Sequence, residues 1–160
     1  MIFVTVGSSD CDFSRLTRKI DRLVIAGSIL DVVVQTGNSF YKPKACKAIN
    51  FVPQVEIEEL VKKSDFILCH GGTGTIDMAL GFRKKTIVVP RLARYGEITD
   101  NHQLELAELL EKSGRVLVAY NIDDIDRCLE YLPTWKPIFR KDSPSTGFKQ
   151  YLGSHIRKLL

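Results

Sequence analysis

Short apolar runs alternate with amphipathic segments along most of the chain. The runs at 2–6, 32–34, 48–52, 66–69, 86–89 and 116–119 are rich in Val, Ile, Leu and Phe and predict strands. Between them, apolar residues recur at helical spacing. Phe13, Leu16, Ile20, Leu23 and Val24 mark one face of a helix over 13–26. Ile57, Leu60 and Val61 mark a second helix that ends before Ser64, and further helices are expected over 73–81, 101–112 and 122–132. Strands this apolar, separated by helices, imply an α/β fold with a parallel sheet of about six strands and helices on both faces. Pro133, Pro137 and Pro144 break the rhythm, after which Phe148, Tyr151, Leu152, Ile156 and Leu159 predict a last helix over 147–160, packed back on the body. No internal repeat or low-complexity segment appears, and the 160 residues read as a single domain, 1–160.

Composition narrows the function classes. The formal charge of +4 is mild, and no aromatic residues alternate with the basic ones, so a nucleic-acid partner is not expected. Cys11, Cys46, Cys69 and Cys128 lie far apart without paired spacing, which argues against a zinc site or a disulfide framework. Cys69, inside a strand run, reads as a small core residue. No apolar run has transmembrane length, and a strand beginning at Ile2 leaves no room for a signal sequence. A cytoplasmic chain, held at a membrane only through a partner, is the expectation. Lys42, Lys44 and Lys47, and the run Arg83-Lys84-Lys85, read as solvated faces. Arg91 and Arg94 follow a strand end and are expected either to face the binding cleft or to lie on a solvated loop.

The chemistry concentrates where Asp65-Phe-Ile-Leu-Cys-His-Gly-Gly-Thr-Gly-Thr-Ile-Asp77 passes from strand to helix. Gly71, Gly72 and Gly74 allow close approach of backbone to a ligand, and a helix starting near Thr73 points free N–H groups at an anion. Thr73 and Thr75 add hydroxyls. This is phosphate-cradling chemistry, yet no Gly-Lys-Ser/Thr run makes a Walker loop, and Asp77 stands where a dinucleotide fingerprint needs its third glycine. Ligands of such sheets bind beyond the carboxyl ends of the strands. Gly7-Ser8-Ser9, Gly71 to Thr75 and the segment from Pro90 to Asp100-Asn-His-Gln103 should therefore converge on one rim. Asp124-Ile-Asp126 imitates a manganese motif but lies at a helix start, where acids are favoured electrostatically, so no metal site is assigned.

Taken together, Phe3-Val-Thr-Val-Gly7, Val34-Gln-Thr-Gly37, Ser64-Asp65, His70 to Thr75, Pro90 and Asp100-Asn-His-Gln103 resemble the donor-binding, C-terminal domain of UDP-sugar glycosyltransferases of the two-domain GT-B type. The chain is most similar to the small catalytic subunit of split, two-chain transferases: the dolichol-linked GlcNAc transferase and bacterial exopolysaccharide enzymes. The resemblance runs from Ile2 to about Tyr120 and implies a Rossmann-like GT-B donor half-domain. It implies that Gly7, Ser8, Ser9, His70, Gly71, Gly72, Thr73, Gly74 and Thr75 surround the donor diphosphate. It implies that Asp100, His102 and Gln103 meet the sugar, although Asp100 also suits a plain helix cap. Phe51, Val52, Asp77 and Met78 fall in the uracil and ribose vicinity, Phe51 and Val52 being equally readable as an ordinary strand end. His70 is readable either as a satisfied strand-end histidine or as a diphosphate ligand.

Two departures stand out: Met78 occupies the position where relatives carry a ribose-binding acid, and Ser9-Asp10-Cys11-Asp12-Phe13 replaces a His-Glu segment. The implied function is transfer of a hexose or N-acetylhexosamine from a UDP-sugar to a polyprenyl-linked acceptor, with a membrane-anchored, acceptor-binding partner subunit. No cofactor or metal is expected. The general base is expected from the partner; Asp10 and Asp12 are local alternatives that nothing sets apart from surface acids. A non-catalytic companion subunit is the rival reading.

Overall fold

A computed structural model describes residues 1–139; the helix expected over 147–160 lies outside the described residues. Six strands form one parallel sheet: β1 (Ile2–Thr5), β2 (Val32–Gln35), β3 (Lys47–Ile49), β4 (Phe66–Cys69), β5 (Lys85–Val88) and β6 (Leu117–Val118), in the order β3-β2-β1-β4-β5-β6. Five helices connect or follow them: α1 (Ser14–Ile25), α2 (Gln54–Lys63), α3 (Thr73–Gly81), α4 (His102–Lys112) and α5 (Asp124–Tyr131).

Alternation along β1 divides the core between the two faces of the sheet. Ile2 and Val4 join Phe13, Leu16 and Ile20 of α1 with Ile125 of α5. Phe3 points the other way, to Val61 of α2, Ile76 and Ala79 of α3 and Leu106 and Leu110 of α4. Both faces are covered, which is why the strands read as continuous apolar runs rather than alternating ones. Cys69 is fully buried in this core, and burial pushes its thiol up to about 12.

Element ends differ from the sequence expectation in instructive ways. The third strand stops at Ile49, so Phe51 and Val52 lie on the loop beyond it, with Pro53 at the N-cap of α2. The basic run at 83–85 is not simply a solvated face. The Lys84 ammonium donates to the carbonyls of Lys62 and Ser64 at the end of α2, and Lys85 donates to Leu132 and Pro133 at the end of α5. Both place a cation on carbonyls that a helix C-terminus leaves unpaired.

In this strand order the side on which successive strands are added reverses between β1 and β4, which pair in register from Ile2 with Phe66 to Thr5 with Cys69. Loops leaving these neighbours diverge and open a crevice at their carboxyl ends. Gly7 and His70 lie just past those two ends.

Candidate functional site

The crevice is built around the His70 ring. Gly7 adopts φ +76°, a conformation that side-chain-bearing residues rarely take, and a methyl group added there would overlap the imidazole. A methyl on Gly72 would overlap the same ring from the other turn. His70 is thus held between the two turns of the switch point, 8% exposed, with its N–H donated to the Thr5 carbonyl at 3.2 Å. Its Nδ1 is buried without a hydrogen-bond partner. Burial and the nearby Arg91 charge push its pKa down to about 4, so the ring is neutral at physiological pH.

Gly71 is explained by a different neighbour. A Cβ there would stand 2.6 Å from Cβ of Gln103, whose side chain lies against the turn. Gln103 Oε1 accepts from the backbone N–H groups of Gly71 (3.1 Å) and Arg91 (3.2 Å), joining the β4–α3 turn to the segment after β5. Gly74 stands apart. It has no positive φ, and an added Cβ would meet nothing within 4 Å. Internal packing accounts for Gly7, Gly71 and Gly72 but leaves open space beside Gly74. Ile76 donates to the Gly72 carbonyl, the first bond of the α3 ladder, so the amides of Thr73, Gly74 and Thr75 stand ahead of it with their partial positive charge directed outwards. Thr73 and Gly74 are exposed and Thr75 is half-buried.

Around this turn the other sequence candidates take definite places. Ser8 is exposed; Ser9 Oγ accepts from Cys11 N–H; the Asn38 amide donates to the Ser9 carbonyl and to Asp10. Asp12 accepts from the Ser14 amide and hydroxyl and from Phe40 N–H. Desolvation alone would raise the Asp12 pKa, but these bonds and the Arg91 charge outweigh it and hold the carboxyl below its ordinary value, which makes it a weaker base than a free aspartate. Asp100 accepts from His102 N–H at 3.0 Å and pairs with His102 Nδ1 at 2.9 Å, both residues exposed at the start of α4. Phe51 is about half exposed and sits beside Gly37 at the end of β2. Met78 packs against the core on the α3 side, and Asp77 is half-buried one position before it. Asp124 accepts from Asn121 N–H and Asp126 pairs with Lys19, so the Asp-x-Asp segment serves the start of α5.

Arg91 corrects its sequence reading. It does not face a cleft; it is completely buried, 4.6 Å over the Phe13 ring. Its guanidinium donates to the carbonyls of Val6, Cys11, Asp12 and Glu97, tying the loop after β1 to the loop after β5. Glu97, also buried, pairs with Arg15 through both carboxylate oxygens and accepts from Leu92 N–H. Arg94 is exposed and lies over Tyr95. Nothing local in the sequence marks Glu97 or joins it to Arg15, 82 positions away.

Comparison with known proteins gives the family and the fold. A family model for the glycosyltransferase family 28 C-terminal domain matches residues 1–130. The UDP-N-acetylglucosamine transferase subunit ALG13 of Cryptococcus neoformans var. neoformans serotype D is 33% identical over 81 residues, covering 50% of this chain and 39% of that protein. Among solved structures, an NMR structure of ALG13 superposes with a TM-score of 0.63 at 20% identity, covering 94% of each chain. The glycotransferase of kitacinnamycin gives 0.62 at 18% identity, covering 96% of this chain and 39% of its own. MurG of Acinetobacter baumannii gives 0.60 at 13%, covering 97% of this chain and 49% of its own. These structural likenesses are of fold, and this chain spans less than half of the kitacinnamycin and MurG enzymes. A six-stranded switch-point sheet with its glycine turns at the crevice, and a family match over most of its length, make the chain a member of the glycosyltransferase family 28 C-terminal domain family.

Proposed function

We propose that the chain is the donor-binding subunit of a UDP-sugar glycosyltransferase, with the diphosphate seated on the amides of Thr73, Gly74 and Thr75. The observation that carries this reading is Gly74. It is the one glycine of the β4–α3 turn whose missing side chain serves no internal contact, and it stands at an exposed helix N-terminus. The names of the relatives favour a UDP-N-acetylhexosamine donor and a subunit arrangement.

In the reaction, the acceptor hydroxyl oxygen attacks the anomeric carbon, the bond from that carbon to the diphosphate oxygen breaks, and UDP leaves with the electron pair. Preorganised amides at α3 oppose the negative charge that develops on the diphosphate, and the reading calls for no metal ion there. The hydroxyl proton passes to a general base. Asp12 is committed to Ser14 and Phe40, which leaves Asp10 or a group on the partner for that role. The acceptor is assigned as polyprenyl-linked and the partner as a membrane-anchored, acceptor-binding chain. Among the described residues no helix is long and apolar enough to cross a membrane.

Titration with UDP, UDP-GlcNAc, UDP-galactose and UDP-glucose tests the reading. Saturable binding of UDP and tighter binding of one UDP-sugar are expected; no binding of any of them overturns it. Met78, packed on the core at the position where the family resemblance implies an acid, favours a second reading, a companion subunit without catalytic donor chemistry. That reading wins if the cognate pair transfers sugar equally well when this chain carries Gly74→Val.

A further inference from the structure

Gln103 holds a place that sugar contact does not explain. Its Oε1 accepts two backbone N–H groups from separate segments, Gly71 in the β4–α3 turn and Arg91 after β5. Its Cβ lies so close to Gly71 that only glycine fits there. Arg91 then carries the connection further, since its guanidinium grips the carbonyls of Val6 and Cys11 in the loop after β1 and of Glu97 in its own loop. Three loops from β1, β4 and β5 are therefore linked through one amide oxygen and one guanidinium.

We infer that Gln103 is a positioning residue for the phosphate-binding turn: its carbonyl oxygen pins Gly71 to Arg91 and so sets the direction of the α3 amides. A side-chain carbonyl fits this task because it has two lone pairs and can take one donor from each loop. Loss of the pin leaves two backbone donors unpaired and lets the turn shift without touching either core cluster. The consequence for ligand binding rests on the donor-site reading above; the consequence for the backbone does not.

The test compares Gln103→Met, which keeps the volume and removes the acceptor, with Gln103→Glu, which keeps an oxygen in the same place. Amide hydrogen exchange is read at Gly71 and Arg91, and UDP affinity is read for the wild type and the Met variant. Expected are protection at both amides falling by about tenfold or more in Gln103→Met, recovery of protection in Gln103→Glu, and UDP bound about tenfold more weakly by Gln103→Met. A role confined to sugar contact would instead leave both amides and UDP affinity unchanged while weakening UDP-sugar binding, and would overturn the inference. A general loss of stability, with protection falling equally across β1 and β5, would overturn it too. Should the wild type fail to bind UDP, the donor-site reading falls, while the exchange at Gly71 and Arg91 still decides whether the pin exists.

Discussion

At the scale of single residues, the glycines of the site divide by what surrounds them. Gly7 and Gly72 make room for the His70 ring, and Gly7 also needs its left-handed backbone. Gly7→Ala should therefore destabilise the fold by about 1–3 kcal/mol, read as a lower urea midpoint, through strain and overlap together. Gly74 adopts helical backbone beside open space, so Gly74→Val should leave the unfolding midpoint nearly unchanged and abolish UDP binding, read by calorimetric titration. Unchanged affinity in that folded variant would place the ligand elsewhere. His70 supplies a pH prediction. Its folded pKa of about 4 lies below the ordinary 6.5, so between those values the unfolded chain binds the extra proton. Stability should then rise with pH from about 4 to 6.5, by about 3 kcal/mol at most from this group, and that contribution to the slope should disappear in His70→Gln. Ring-proton shifts that titrate near 6.5 instead would show the ring to be solvated.

Among elements, the loops after β1 and β5 behave as one structure because Arg91 joins them. Arg91→Met would leave the carbonyls of Val6 and Glu97 short of a donor in a buried place, and those of Cys11 and Asp12 in a partly buried one. A loss of about 3 kcal/mol or more in unfolding free energy is expected by urea titration. Arg91→Lys should recover only part of it, since a compact ammonium cannot reproduce a planar fork that reaches both loops. At the start of α4 the Asp100–His102 pair works in opposite directions on its two members. Donating a hydrogen bond to the Asp100 carboxylate raises the His102 pKa, and the backbone and side-chain donors of His102 lower that of Asp100. The His102 contribution to stability is therefore complete below its unfolded value and is lost as pH rises through the raised folded one. In an NMR titration, Asp100→Asn should bring the His102 pKa back towards 6.5.

For the whole molecule, the proposed donor half carries diphosphate donors, whereas among the described residues His70 is enclosed between two turns and Asp12 is committed to Ser14 and Phe40. We expect the purified chain alone to show little or no transferase activity and to gain it with a membrane-bound acceptor-binding subunit, measured as sugar transfer to a polyprenyl-diphosphate acceptor. Robust turnover by the isolated chain would overturn the split-enzyme expectation.

The architecture was legible along the chain because its determinants are local. Apolar runs, helical spacing and the glycine turn after 66–69 are each readable within a dozen residues, and a parallel sheet follows from strands apolar on both faces. The convergence of Gly7, His70 and Gln103 followed from the rule that ligands gather at strand carboxyl ends. What the carbonyls, rings and charges of those residues touch was not legible. Arg91 looked like a rim cation and is a buried tie between loops; Lys84 and Lys85 looked like a solvated run and hold helix ends; Gln103, expected at the sugar, also grips two backbone amides. Those partners lie between six and 85 positions away, so only the folded chain brings each polar side chain to the unpaired backbone groups it can satisfy, and where the place is buried that pairing is obligatory.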